Sequence, residues 1–171
     1  MNENIDFIGE KMDKNKLETL KKEYAELTVR SGINLQKGQR LVISSSVDCA
    51  DFARMCAAAA YEAGCREVVM DWTDDIMTRM KFLCADDDIF GTVNSWEKEF
   101  YDVLGKEGAG WLSIYSEDPE KLKGVDPERI KRAQIARGNA LKEFREREMR
   151  SEFQWCVCSV PSKAWTKAVF P

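Results

Sequence analysis

Histidine is absent from all 171 residues of the chain. That excludes a Ser-His-Asp triad, a Cys-His nucleophile pair and any His ligand for zinc. Long hydrophobic runs are missing too: no apolar stretch approaches the roughly 18 to 20 residues a membrane span needs. The opening stretch MNENIDFIGEKMDKNK is too polar for a secretory signal peptide. An excess of basic charge is also lacking. At a net charge of −4 the chain has no general electrostatic grip on phosphate, so neither nucleic acid nor a membrane is expected as a partner. There is no Gly-x-Gly-x-x-Gly and no Walker Gly-Lys-Ser/Thr, so nucleotide binding has no motif behind it.

What is present reads as an α/β protein. Residues 1–13 are expected to form a flexible arm and 14–171 one domain. Leu17, Leu20, Tyr24, Leu27 and Ser31 recur at helical spacing from Lys14, with Gly32 as a stop. RLVIS (40–44) is a short apolar run suited to a strand buried on both faces. Asp48 can cap a helix to Gly64 with Phe52, Met55, Cys56, Ala59 and Ala60 inward. REVVMDW (66–72) is the next strand, completing a βαβ unit.

Helices near 74–84 and 94–106 flank the turn ADDDIFGT, and GWLSIYS (110–116) is a third strand. In EDPEKLKGVDPERI, Pro119 follows Asp118 as the start of a helical turn. Pro127 follows Asp126 as the start of a helix reaching about Arg150. FQWCVCSV (153–160) is a fourth strand and PSKAWTKAVF a last helix. Strands alternating with helices predict a three-layer α/β/α sandwich on a mainly parallel sheet of about four or more strands. The six cysteines lie in apolar stretches and read as free, mostly buried thiols of a reducing cytoplasm.

Four groups of residues invite a chemical reading. SSSVD (44–48) leads from a strand end into a helix N-terminus, a place that suits a phosphate or carboxylate. A polar turn ending in a cap explains it with less. Asp71, Asp74 and Asp75, then Asp86, Asp87 and Asp88, offer oxygen ligands for Mg²⁺, yet the helix dipole alone favours acids at helix starts. Cys156 and Cys158 share one strand face, as two packed thiols rather than half a zinc site. The stretch 128–150 carries eight basic and four acidic side chains. It reads as a solvated face with pairs such as Glu143–Arg147 and Glu146–Arg150, or as a contact for RNA, an acidic partner or a substrate carboxylate. Read alone, these residues define no active site.

Three stretches add what spacing does not: LTVRSGINLQKGQRLVI, EDPEKLKGVDPERI and PSKAWTKAVFP. Together they resemble the N-terminal domain of the thermophilic-type metalloaminopeptidases, the family of aminopeptidases T and S. The resemblance runs from about Lys16 to Pro171, and its most specific part is the pair of Asp-Pro helix starts in EDP-x4-GVDPERI. It implies a cytoplasmic, homodimeric exopeptidase that removes N-terminal residues from peptides. It also implies two divalent metal ions, zinc or cobalt, held by Glu, His and Asp residues of a C-terminal domain.

None of those metal-ligand motifs can be matched in this chain. No catalytic, cofactor-binding or metal-binding residue is therefore assigned, and no metal is expected here. The expected partners are the absent C-terminal domain, a second subunit and peptide substrates. On this reading the closing helix and AVFP lead out of a first domain toward that second one, and the missing histidine follows. The alternative is a standalone binding or regulatory domain that uses the basic helix 128–150 on a partner. A third is a small α/β enzyme working through SSSVD or the acidic clusters.

Overall fold

The computed structural model describes residues 13–169. The arm expected over 1–13 lies outside them except for Asp13, whose carboxylate accepts the Asn15 amide at 3.2 Å and caps the first helix. The stretch 170–171 also lies outside. The described elements are α1 (Lys14–Leu27), β1 (Arg40–Ser46), α2 (Ala50–Glu62), β2 (Glu67–Thr73), α3 (Asp75–Cys84), α4 (Ser95–Lys106), β3 (Gly110–Tyr115), α5 (Pro127–Ala140), α6 (Lys142–Met149), β4 (Trp155–Ser159) and α7 (Lys163–Val169). The sheet is fully parallel, in the order β2-β1-β3-β4, which confirms the three-layer α/β/α expectation.

Alternation along the strands divides the core in two. Leu41, Ile43, Leu112, Ile114 and Cys158 meet α1 and α2 on one face. Val42 and Trp111 meet Leu104 of α4 and Phe144 of α6 on the other, with Phe153 just before β4. The strand that sequence reads as doubly buried, β1, is a central one. Gly64 ends α2 at φ +89°, where a side chain would be strained, and its carbonyl accepts the Gly38 amide at 2.8 Å.

Three expectations need correction. In α1, Leu20 and Leu27 are exposed, Leu27 by 59%, while Tyr24 stays part-exposed and stacks on Phe52 of α2 with ring centroids 5.4 Å apart. The helix docks instead through Ala25, Thr28, Val29 and Ile33, as its last turn widens into a π-helical turn at Thr28–Gly32. Gly32 serves close approach: a Cβ there would lie 2.9 Å from Cys156 Sγ, while the left-handed residue is Asn34 at φ 53°. The helix expected over 128–150 breaks at Leu141 (φ −98°, ψ 16°), whose side chain is buried. Burying Leu141 and Phe144 together turns the chain where the charge pattern alone runs on. Asp48 is not the cap of α2. Ser46 accepts the Asp48 amide at 3.3 Å and starts a 3₁₀ turn, Val47–Cys49, that precedes the helix.

Candidate functional site

The polar ends of the strands are turned inward. Ser45, Ser46 and Ser116 are buried. The Ser45 hydroxyl donates to the Ser46 carbonyl at 3.1 Å, and Cys49 Sγ lies 2.7 Å from Ser116 Oγ. SSSVD is thus a strand end whose Ser45 and Ser46 hydroxyls are spent on local bonds. The plainer of its two readings, a polar turn ending in a cap, holds, with Ser46 as the capping residue.

The six clustered aspartates do not converge. Asp71 sits on β2 and accepts from Ser44 Oγ at 3.2 Å and from the Tyr101 hydroxyl at 2.8 Å. Asp74 caps α3, taking the amides of Ile76 and Met77. Asp75 faces away, accepting the Asp118 amide at 2.7 Å and pairing with Lys121 at 3.0 Å. Asp87 pairs with Arg129 at 2.7 Å and with Arg132 at 3.4 Å. Among the described residues no three His, Cys, Asp or Glu side chains are grouped so as to hold a metal ion. The donor set described here does not fit a two-metal centre.

The basic helix answers the acidic segments of its own chain. Besides the Arg129 and Arg132 pairs with Asp87, the Arg129 guanidinium lies 5.4 Å over the Phe90 ring and donates to the Phe82 carbonyl at 2.9 Å. Arg137 pairs with Glu97. Arg147 pairs with Glu143 at 3.5 Å, as the spacing predicts. The expected Glu146–Arg150 pair is replaced by Arg150–Glu152 at 2.8 Å, because Glu152 lies just beyond the helix end. Much of the charge on this stretch is thus met within the chain.

Sequence reasoning missed the network around Tyr101. Its hydroxyl gives its proton to Asp71 and accepts Arg137 Nη2 at 2.8 Å, with that guanidinium 5.2 Å over the ring. Burial, then the negative charge of Asp71, pushes the phenol up to about 12. Tyr101 stacks on Trp111 at 5.2 Å, and Trp111 meets Phe144 at 4.6 Å. The only signal for this in sequence is the aromatic content of WEKEFYDVLG, which fixes no partner.

Of the two thiols on β4, Cys158 is buried and Cys156 half-buried on the same face. Cys49, Cys56 and Cys65 are buried and Cys84 exposed, all free. EDPEKLKGVDP is structural: Asp118 accepts the Glu120 amide at 2.9 Å, Asp126 caps α5 with Pro127 in its first turn, and Arg79 of α3 donates to the carbonyls of Lys121 and Lys123.

Fold and polar groups together define a parallel α/β domain whose charged clusters hold its own elements together. The chain belongs to the thermophilic metalloprotease (M29) family, whose sequence profile matches residues 17–171. Aminopeptidase AmpS of Bacillus subtilis (strain 168) is 37% identical over 148 residues, covering 86% of this chain and 36% of that protein. Aminopeptidase T of Thermus thermophilus is 31% identical over 147 residues, with the same coverage of 86% and 36%. Among solved structures, wild-type AmpT from Thermus thermophilus superposes with a TM-score of 0.85 at 29% identity, over 91% of this chain and 39% of that one. The chain thus spans little more than a third of the length of the curated relatives it matches.

Proposed function

We propose that residues 14–171 are the N-terminal domain of a metal-dependent aminopeptidase that removes N-terminal residues from peptides, with 1–13 as an arm. The domain walls the substrate cavity and contributes to the assembly of a cytoplasmic homodimer. Two divalent ions, zinc or cobalt, are held by polypeptide outside this chain. The observation that carries the reading is a match to named aminopeptidases over 36% of their length by a chain without a single histidine. Surface chemistry supports it. Ile76, Met77, Met80 and Leu83 form an exposed apolar stripe on α3, Ile76 by 73%, of the kind that covering polypeptide buries. Trp165, near the end of the described chain, is exposed as well. Among the described residues no helix is long and apolar enough to cross a membrane.

The test is deletion, from aminopeptidase T, of the region that this chain matches. Loss of the cavity wall should cost peptide hydrolysis about a hundredfold or more, since small errors in substrate placement have effects of that order, while the remainder still binds metal. Full peptidase activity in the deleted, still assembled protein would contradict the proposal.

A further inference from the structure

We propose that the outer face of α5 and α6 is a docking site for an acidic amphipathic helix of another protein. Neither this face nor its occupant depends on the peptidase reading. Arg129, Arg132, Arg137 and Arg147 pair with carboxylates of the chain. The Arg145 side chain has no ion pair and no hydrogen bond among the described residues, and Lys142 reaches Glu146 only at 3.9 Å. These two unmet cations belong to one seam. Ile135, Gly138, Lys142, Arg145 and Met149 follow one another at alternating steps of three and four residues, the period of a helix that packs on another helix. The break at Leu141 does not interrupt it: Gly138 of α5 lines one groove of about 450 Å³ with Lys142, Arg145, Glu146, Met149 and Arg150.

Three features of the groove select the occupant. The first is charge. Three cations, Arg150 being shared with Glu152, meet one carboxylate, on a chain whose net charge is −4. Complementarity calls for an acidic partner. The second is exposed apolar surface: Met149 is 82% exposed, and Ile135, one turn before Gly138, 54%. Methionine is the side chain that adapts most readily to an apolar contact. A partner that carried charge alone would leave both in water.

The third is Gly138. Glycine weakens a helix relative to alanine, and the backbone here is not left-handed. Nothing in the chain requires its small size, because a Cβ there would meet only Arg145 Nη1, at 3.8 Å. A glycine inside a helix that its own chain does not explain leaves room for close approach from outside. Single-stranded RNA would need aromatic faces for its bases, and no aromatic residue lines the groove. The occupant is therefore a helix laid along the seam, with carboxylates for Lys142 and Arg145 and apolar side chains for Ile135 and Met149.

The probe is a fluorescein-labelled synthetic helix of alanine, leucine and glutamate, about 18 residues long, with leucines at both ends of one face and glutamates between them. Its anisotropy is followed as this chain is added. Binding should saturate and should weaken as salt rises. The same peptide with glutamine for glutamate should bind about tenfold more weakly. Met149→Ala should weaken the glutamate peptide about fivefold. Gly138→Gln should weaken it about tenfold by filling the groove, yet leave thermal unfolding unchanged or higher, since glutamine favours a helix. A uridine RNA oligomer at equal concentration should not displace the peptide. No saturable binding, equal binding of the glutamine peptide, displacement by the RNA, or unchanged affinity in folded Gly138→Gln would each overturn the proposal.

Discussion

Phe144→Ala should cost the chain about 3–5 kcal/mol of stability, the usual range for removing a buried phenylalanine. Phe144 is 7% exposed. Its ring meets Trp111 at 4.6 Å, Tyr101 at 5.2 Å and Phe153 at 5.2 Å. It also fills the space above Gly105, where an added Cβ would come within 3.0 Å of it. Truncation therefore opens a cavity lined by rigid rings that cannot collapse into it. For a domain of this size the melting temperature should fall by roughly 6–20 °C. Met149→Ala, five residues on and 82% exposed, should change stability by no more than about 0.5 kcal/mol. Comparable losses from the two variants would show that the α6 face does not carry the second core.

Raising the pH should unfold the chain between about pH 9 and pH 12, without a chemical denaturant. Burial, with the neighbouring thiols Cys158 and Cys156, pushes Cys56 up to about 12 from 9.0. Burial and then Cys156 move Cys158 to about 12, and burial and then Asp71 move Tyr101 to about 12 from 10.0. In the unfolded chain these groups lose their protons near their ordinary values, while the folded chain keeps them. The unfolded state therefore binds fewer protons across that window, and stability falls as pH rises. It is fully present below about pH 9 and lost as pH passes through 12.

Each pKa unit is worth about 1.4 kcal/mol, so Cys56 alone contributes on the order of 4 kcal/mol to the loss. Total stability is commonly about 5–15 kcal/mol. Circular dichroism with pH should show a cooperative transition, shifted to higher pH by Cys56→Ala if that variant keeps its fold. A chain still folded above pH 12 would refute the burial of these groups.

Much of the architecture is legible in residue order. RLVIS and GWLSIYS are apolar runs bounded by turn residues, and each became a central strand within a residue or two of its expected limits. The helix start at Asp126 and Pro127 was equally plain, because a short acid before a proline has a local job. What failed was decided at a distance. The spacing of Leu20, Tyr24 and Leu27 promised a core face for α1, but only Tyr24 of the three packs inward, on Phe52, and the fully buried contacts come from Ala25 and the turn that follows the helix. The break at Leu141 follows from burial against the second core, which a charge pattern cannot register.

The site was legible only in part. Asp71 stood out among its neighbours, yet its link to Ser44, Tyr101 and Arg137 joins residues 27 to 66 positions apart. No local period encodes such a link. The orphaned indole of Trp111 depends on what surrounds the ring and leaves no trace in sequence.

On the function proposed, peptidase chemistry lies outside these residues. Hydrolysis of a leucyl chromogenic amide by this chain, with Zn²⁺ or Co²⁺ added and bound metal quantified, tests it most directly. No turnover and no tightly bound metal are expected. Metal-dependent turnover would contradict it by placing a catalytic centre within a chain that has no histidine.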